Sequence, residues 1–196
     1  MAAFADYLDL RLAVADHVGN RSISDVMPSL VQRAESMLNS KLRCNQQITQ
    51  DDITFTAGVA TLPTNFLEMI EVLDGQNRPL RATSITNTLI EGSQYWRYSI
   101  QGTTIRINGI SGDRSIRYFA KLPTITGSVS GTNWLLERYP DVYLYASAIE
   151  AAKHLRDAEL VLATRPLLDM AMADLRVNDE RARWANASVR VAGATP

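Results

Sequence analysis

The order of segments constrains this chain most. Two amphipathic helices come first, then about eighty residues of short strands, then a closing pair of helices entered through Thr132-Asn133-Trp134-Leu135-Leu136-Glu137-Arg138-Tyr139-Pro140-Asp141. That order reads as one helical unit interrupted by a β insertion. No stretch of it has the pattern of an active site, so function is expected in surfaces and partners.

The first helix is predicted over residues 4–18. Phe4, Leu8, Leu12 and Ala15 form one helical stripe with Tyr7, Leu10, Val14 and Val18 beside it, a wide face expected to be buried. Gly19-Asn20 stops it, because both residues tolerate the left-handed conformation that ends helices. A second helix follows over about 26–43, with Ser24 or Asp25 as its cap and Pro28 in its first turn. Its buried stripe is Leu30, Val31, Ala34, Met37, Leu38 and Leu42. The segment 142–155 is apolar almost all round and alanine-rich, as a central helix with close neighbours requires. The last helix carries Leu160 or Val161, Thr164, Leu168, Met172 and Leu175 on one face, with a kink or restart expected at Pro166 and an end near Trp184.

After Cys44 the period changes to two. Ile53–Thr56 and Val59–Leu62 flank Ala57-Gly58 as a tight hairpin, and 66–73 and 79–82 flank Asp74-Gly75-Gln76-Asn77 as a second. A short helix is expected over 84–91. Three more strands follow at 95–100, 103–107 and 115–119, and a Pro, Thr, Ser and Gly linker over 122–131 leads back to the helices. The fold class is therefore α+β: an antiparallel four-helix bundle from residues 1–46 and 132–185, an inserted small antiparallel β-sheet or sandwich over 47–131, and an extended C-terminal arm over 186–196.

Composition narrows the chemistry. With 196 residues and 46% hydrophobic content the chain can bury a real core. Its net charge of -1 gives no general reason to expect nucleic acid or anionic membrane as the main partner. Cys44 is the only cysteine, so no internal disulfide or thiolate cluster is expected, which suits a reducing compartment. No membrane-span-length apolar run and no basic-then-apolar leader occurs, so a soluble product made in the cytoplasm is expected. Of the 20 basic residues only Lys41, Lys121 and Lys153 are lysines. Arginine suits bidentate pairing with carboxylates at interfaces, and a GC-rich genome gives the same bias.

The sites that could carry chemistry are weak. His17 and His154 lie on different helices without metal-ligand spacing, Cys44 lacks a nucleophile signature, and Asp51-Asp52 point to opposite faces of a strand. Gly102, Gly109 and Gly112 lack the helix and the Lys-Ser/Thr of a phosphate cradle, and the sequons at Asn20 and Asn186 are chance matches without a leader. No catalytic, metal or cofactor site is expected, and no enzyme. Trp134, Tyr139, Tyr143 and Tyr145 read as bundle core or as a subunit interface. Arg176, Arg181, Arg183 and Arg190 with Trp184 read either as a solvated helix end favoured by the helix dipole or as a segment that orders on a partner, its arginines paired to carboxylates.

Several segments together resemble a known family. They are Leu38-Asn39-Ser40-Lys41-Leu42-Arg43 after Ala34-Glu35, Leu62-Pro63-Thr64-Asn65-Phe66-Leu67-Glu68, Tyr118-Phe119-Ala120-Lys121-Leu122-Pro123, Thr132-Asn133-Trp134-Leu135-Leu136, Pro140-Asp141-Val142-Tyr143-Leu144-Tyr145 and Glu150-Ala151-Ala152. In this order, spanning nearly the whole chain, they resemble the head-to-tail connector adaptors of tailed bacteriophages, the head-completion proteins attached beneath the portal. The resemblance implies a dodecameric ring in the neck of the virion, docked on the portal protein and offering tail or nozzle proteins a platform. It implies a channel through which genomic DNA passes without specific binding, and no membrane contact. It also implies that the C-terminal segment reaches the portal, with Arg176, Arg181, Arg183, Trp184, Val189, Arg190 and Val191 as partner-binding residues. Rival readings are a tail-completion or terminator protein, an enzyme with a site between bundle and insertion, which the two histidines make a poor fit, and a DNA-binding regulator.

Overall fold

The computed structural model describes residues 4–19, 22–86 and 97–184. The chain divides into two compact units, residues 1–45 with 123–196 and residues 46–122. The C-terminal arm expected over 186–196 and most of the short helix expected over 84–91 lie outside the described residues.

The helical unit holds α1 (Tyr7–His17), α2 (Met27–Lys41), α3 (Trp134–Arg138), α4 (Pro140–His154) and α5 (Ala158–Trp184). This corrects the expected antiparallel four-helix bundle. Five helices stand among the described residues, and α1, α2, α3 and α5 each pack on α4. The reason is the composition of α4. Val142, Tyr143, Ala146, Ala148, Ile149, Ala151 and Ala152 cover its circumference and are all buried. A bundle helix keeps one face for solvent, whereas α4 keeps almost none and serves as a hub. Its alanines let the neighbouring backbones approach closely.

The extra helix arises from one cap and one break. Asn133 accepts the N–H groups of Leu135 and Leu136, both at 3.1 Å, and so starts α3. Tyr139 then leaves helical geometry (φ -135°, ψ 59°) just before Pro140, as a residue preceding proline tends to do. Pro166, expected to kink or restart the last helix, is carried inside a continuous α5 of 27 residues. The expected cap of α2 also differs: its N-cap is Val26, with no side-chain hydrogen bond, and Pro28 sits in the first turn.

In α1 the expected burial is half overturned. Tyr7, Leu10, Val14 and Val18 are buried, but Leu8 is 38% and Leu12 62% exposed on the opposite side of the helix. Asp6 caps this helix through Leu8 and Asp9, and the loop carbonyl of Gly131 receives the Tyr7 N–H at 2.9 Å. That loop belongs to the stretch read as a linker, yet its Ile125 is fully buried. Ile125 is held by a buried polar network. Its N–H donates to Glu35 Oε1 at 3.0 Å, the Tyr143 hydroxyl donates to the same oxygen at 3.1 Å, and Asn133 Nδ2 donates to Tyr143 Oη at 2.8 Å and to the Pro123 carbonyl at 2.7 Å. Burial, with the Glu35 carboxylate beside it, pushes the Tyr143 hydroxyl far above the ordinary tyrosine range.

The β unit has two sheets. One has the order β1 (Ile48–Phe55), β7 (Gly112–Ala120), β3 (Phe66–Val72). The other has the order β2 (Val59–Thr61), β6 (Thr104–Ile107), β5 (Arg97–Gln101), β4 (Arg81–Ala82). Both contribute to one core, in which Phe55, Val72, Ile116 and Tyr118 meet Ala60, Tyr98, Ile105 and Ile107. The two turns read as hairpins are therefore corners. Single bridges, Thr56 to Val59 and Leu73 to Pro79, hold each turn before its strands part to different sheets. The β4–β5 pair is parallel, which further corrects the all-antiparallel expectation. Gly58 makes the first corner possible, since at φ 80° a Cβ would lie 2.6 Å from the Ile107 carbonyl oxygen. The buried Tyr118 hydroxyl donates to Asp51 at 2.6 Å, with Asn65 Oδ1 2.9 Å away. Burial and that carboxylate push its pKa up to about 12.

Candidate functional site

The arginine-rich end of α5 meets the exit of α2. Leu42 turns extended (φ -85°, ψ 133°) and stops α2, and the Arg43 guanidinium covers the loose carbonyls by donating to those of Asn39 at 2.9 Å and Leu42 at 2.5 Å. Asp179, buried on α5, then fixes the segment that leaves α2. Its Oδ1 accepts the Asn45 N–H at 2.7 Å and its Oδ2 accepts Arg183 at 2.9 Å, while Arg183 also donates to the Arg43 carbonyl at 3.3 Å. With both oxygens occupied, Asp179 is a structural clamp.

Beside this clamp lies a cleft of about 200 Å³ floored by Leu42, Cys44 and Leu175 and rimmed by Lys41, Arg176 and Glu180. A second cleft of about 250 Å³ runs on from it, with Met37, Leu168 and Met172 on its floor and the same Lys41 and Arg176 on its rim. Together they form a groove between α2 and α5.

The structure splits the residues singled out in the sequence. Arg176 and Arg183 line the groove. Arg181 and Trp184 are exposed on the other side of α5, where Trp184 is 72% exposed. Val189, Arg190 and Val191 lie outside the described residues. Sequence reasoning missed Lys41, Arg43 and Asp179. The basic pair closing the second helix, Lys41 and Arg43, was a visible signal, but nothing local tied it to residues more than a hundred positions away.

The far side of α5 carries a second feature. Met170, Val177 and Trp184 recur every seven residues, so they lie along one line of the helix, opposite the buried Thr164, Leu168, Met172, Leu175 and Asp179. They are 66%, 45% and 72% exposed, and Leu162, 75% exposed, extends the line toward the helix start. The aromatic cluster resolves differently. Tyr143 is fully buried, while Trp134, Tyr139 and Tyr145 are half-buried.

Among the described residues, no three His, Cys, Asp or Glu side chains stand as a metal-holding group, and no helix is long and apolar enough to cross a membrane. His17 donates to or accepts from Thr164 Oγ1 at 3.1 Å and meets the Tyr145 ring edge-on, Cys44 is buried, and Asp51 is the acceptor of Tyr118. Each of these groups is therefore used in packing or local hydrogen bonding.

The sequence model of the SU10 adaptor protein family matches residues 5–192. The chain belongs to that family. The match covers both units, helices and β insertion alike, so the family relationship holds for the architecture as a whole. As an SU10 adaptor protein the chain is a phage structural adaptor and a component of the virion, in line with the resemblance carried by the six sequence segments. No curated protein matches the chain.

Proposed function

We propose that this SU10 adaptor protein is a head-to-tail connector subunit. Copies stand side by side as a ring beneath the portal, the ring passes the genome without gripping it, and its far face receives tail or nozzle proteins. The observation that carries this reading is the pair of outward apolar ridges on one helical unit, Leu8 and Leu12 on α1 and Met170, Val177 and Trp184 on α5. A unit that leaves two different ridges uncovered is suited to a heterologous contact, one ridge of a copy against the other ridge of the next, and such contacts close into rings when the rotation permits. The net charge of -1 supports passage without binding, because a basic lining would hold phosphates through counterion release.

Portal attachment falls in this reading to the end of α5, with Arg176, Arg181, Arg183 and Trp184 followed by Val189, Arg190 and Val191. An exposed tryptophan beside arginines has the composition of an interface hot spot. The test is to mix the protein with its purified portal and measure the mass of the complex by native mass spectrometry. A multimeric complex is expected. Binding to purified tail tube and not to portal would instead favour the tail-terminator role.

A further inference from the structure

We infer that the groove between α2 and α5 is the receptor for an acidic segment of a partner protein, one carrying an apolar side chain next to a carboxylate. The inference rests on the adaptor reading only for the source of that segment. Its chemistry comes from the groove. The floor beside Met37, Leu168 and Met172 is apolar, and the rim shared by both clefts is Lys41 and Arg176. An apolar side chain fits the first and a carboxylate the second.

The charges facing this groove decide what enters it. Its cations are Lys41, Arg43, Arg176 and Arg183, and its acids are Asp169, Asp179 and Glu180. Asp179 is spent on Asn45 and Arg183, Asp169 stands 4.0 Å from Arg165, which is not part of the groove, and Glu180 remains on the rim as the one acid there outside an ion pair among the described residues, against the two cations Lys41 and Arg176. Lys41 and Arg176 have no carboxylate within ion-pair distance among the described residues. They are exposed cations held on ordered helices at the mouth of an apolar cleft, so an incoming carboxylate finds donors already in place. Arg43 and Arg183 are fixed by their own contacts and add positive potential without needing to move. A phosphate backbone would satisfy the cations but leave the apolar floor uncovered, so a protein segment is the occupant we commit to.

The experiment has two arms. In the first, fluorescence anisotropy follows a labelled peptide of alternating leucine and glutamate, its glutamine counterpart and a labelled DNA duplex. The glutamate peptide should bind, and Lys41→Gln and Arg176→Gln should each weaken it about tenfold, the worth of one charge-assisted hydrogen bond. Arg138→Gln, the same charge change at the exposed end of α3 and away from the groove, should leave it unchanged. Failure of the glutamate peptide to bind, equal binding of the glutamine peptide, tighter binding of the duplex, or equal weakening by Arg138→Gln overturns the inference. In the second arm the same variants are mixed with purified portal. Wild-type protein that captures portal while Lys41→Gln and Arg176→Gln capture it equally well would remove the groove and keep the adaptor. Wild-type protein that captures no portal removes the head-to-tail connector reading, whatever the peptide does.

Discussion

Glu35 offers the sharpest test of how the helical unit is held. Its carboxylate is 6% exposed and accepts both the Ile125 N–H and the Tyr143 hydroxyl through one oxygen. Glu35→Ala leaves those two buried donors without an acceptor. Each stranded donor costs about 1–3 kcal/mol, and the relief of no longer burying a carboxylate offsets part of that, for a net loss of about 3 kcal/mol. In a chain of this size that lowers the midpoint of thermal unfolding by roughly 10 °C. Glu35→Gln keeps a carbonyl oxygen at the same place and should cost less than about 1 kcal/mol. Circular dichroism melts measure both, and amide hydrogen exchange at Ile125 localises the effect, since that N–H should lose protection in the alanine variant and keep it in the glutamine variant. Equal melting of the alanine variant and wild type, or a glutamine variant as unstable as the alanine one, would refute the account of the network.

Three further outcomes are expected. Leu12→Glu and Met170→Glu lie on exposed ridges and should change folding stability by no more than about 0.5 kcal/mol, while weakening self-association on portal as read by sedimentation velocity; unaltered assembly would count against the two-ridge contact. Gly58→Ala should cost about 2–3 kcal/mol in denaturant melts, because the left-handed backbone and the Ile107 carbonyl both resist a Cβ; a neutral result would mean that the corner relaxes freely. Tyr118 keeps its proton in the folded state up to about pH 12 against an ordinary value of 10.0, so its contribution is whole below the ordinary value and is lost as pH rises through the folded one. Tyr118→Phe should flatten that alkaline decline in a pH series of melts, and an unchanged slope would speak against it.

What the sequence disclosed and what it hid follow from the range of the interactions involved. The core role of α4 was legible because its apolar residues surround the helix and leave only one placement, inside. In α1 the pattern was ambiguous: Leu8 and Leu12 are as apolar as Leu10 and Val14, and periodicity cannot tell a face buried within the chain from one left for a neighbour. The turns at Ala57-Gly58 and Asp74-Gly75 were legible because they depend on local backbone conformation. Their strands' departure to separate sheets was not, because pairing with β6 and β7 is decided some fifty residues away. The bundle expectation failed for a related reason: counting helices by stripe overlooked a single turn of helix capped by Asn133. At the candidate site Arg176 and Arg183 stood out by type. The groove they line required Lys41, Arg43 and Asp179, which only folding brings beside them.

The β insertion leaves and re-enters the chain through strands that are partners, Ile48 facing Phe119 in register. An excursion whose two ends are hydrogen-bonded neighbours closes on itself, so the chain returns beside the point from which it set out. Loops between its strands can therefore lengthen or shorten without altering the spacing of those two ends, and sequence variation is absorbed inside the insertion.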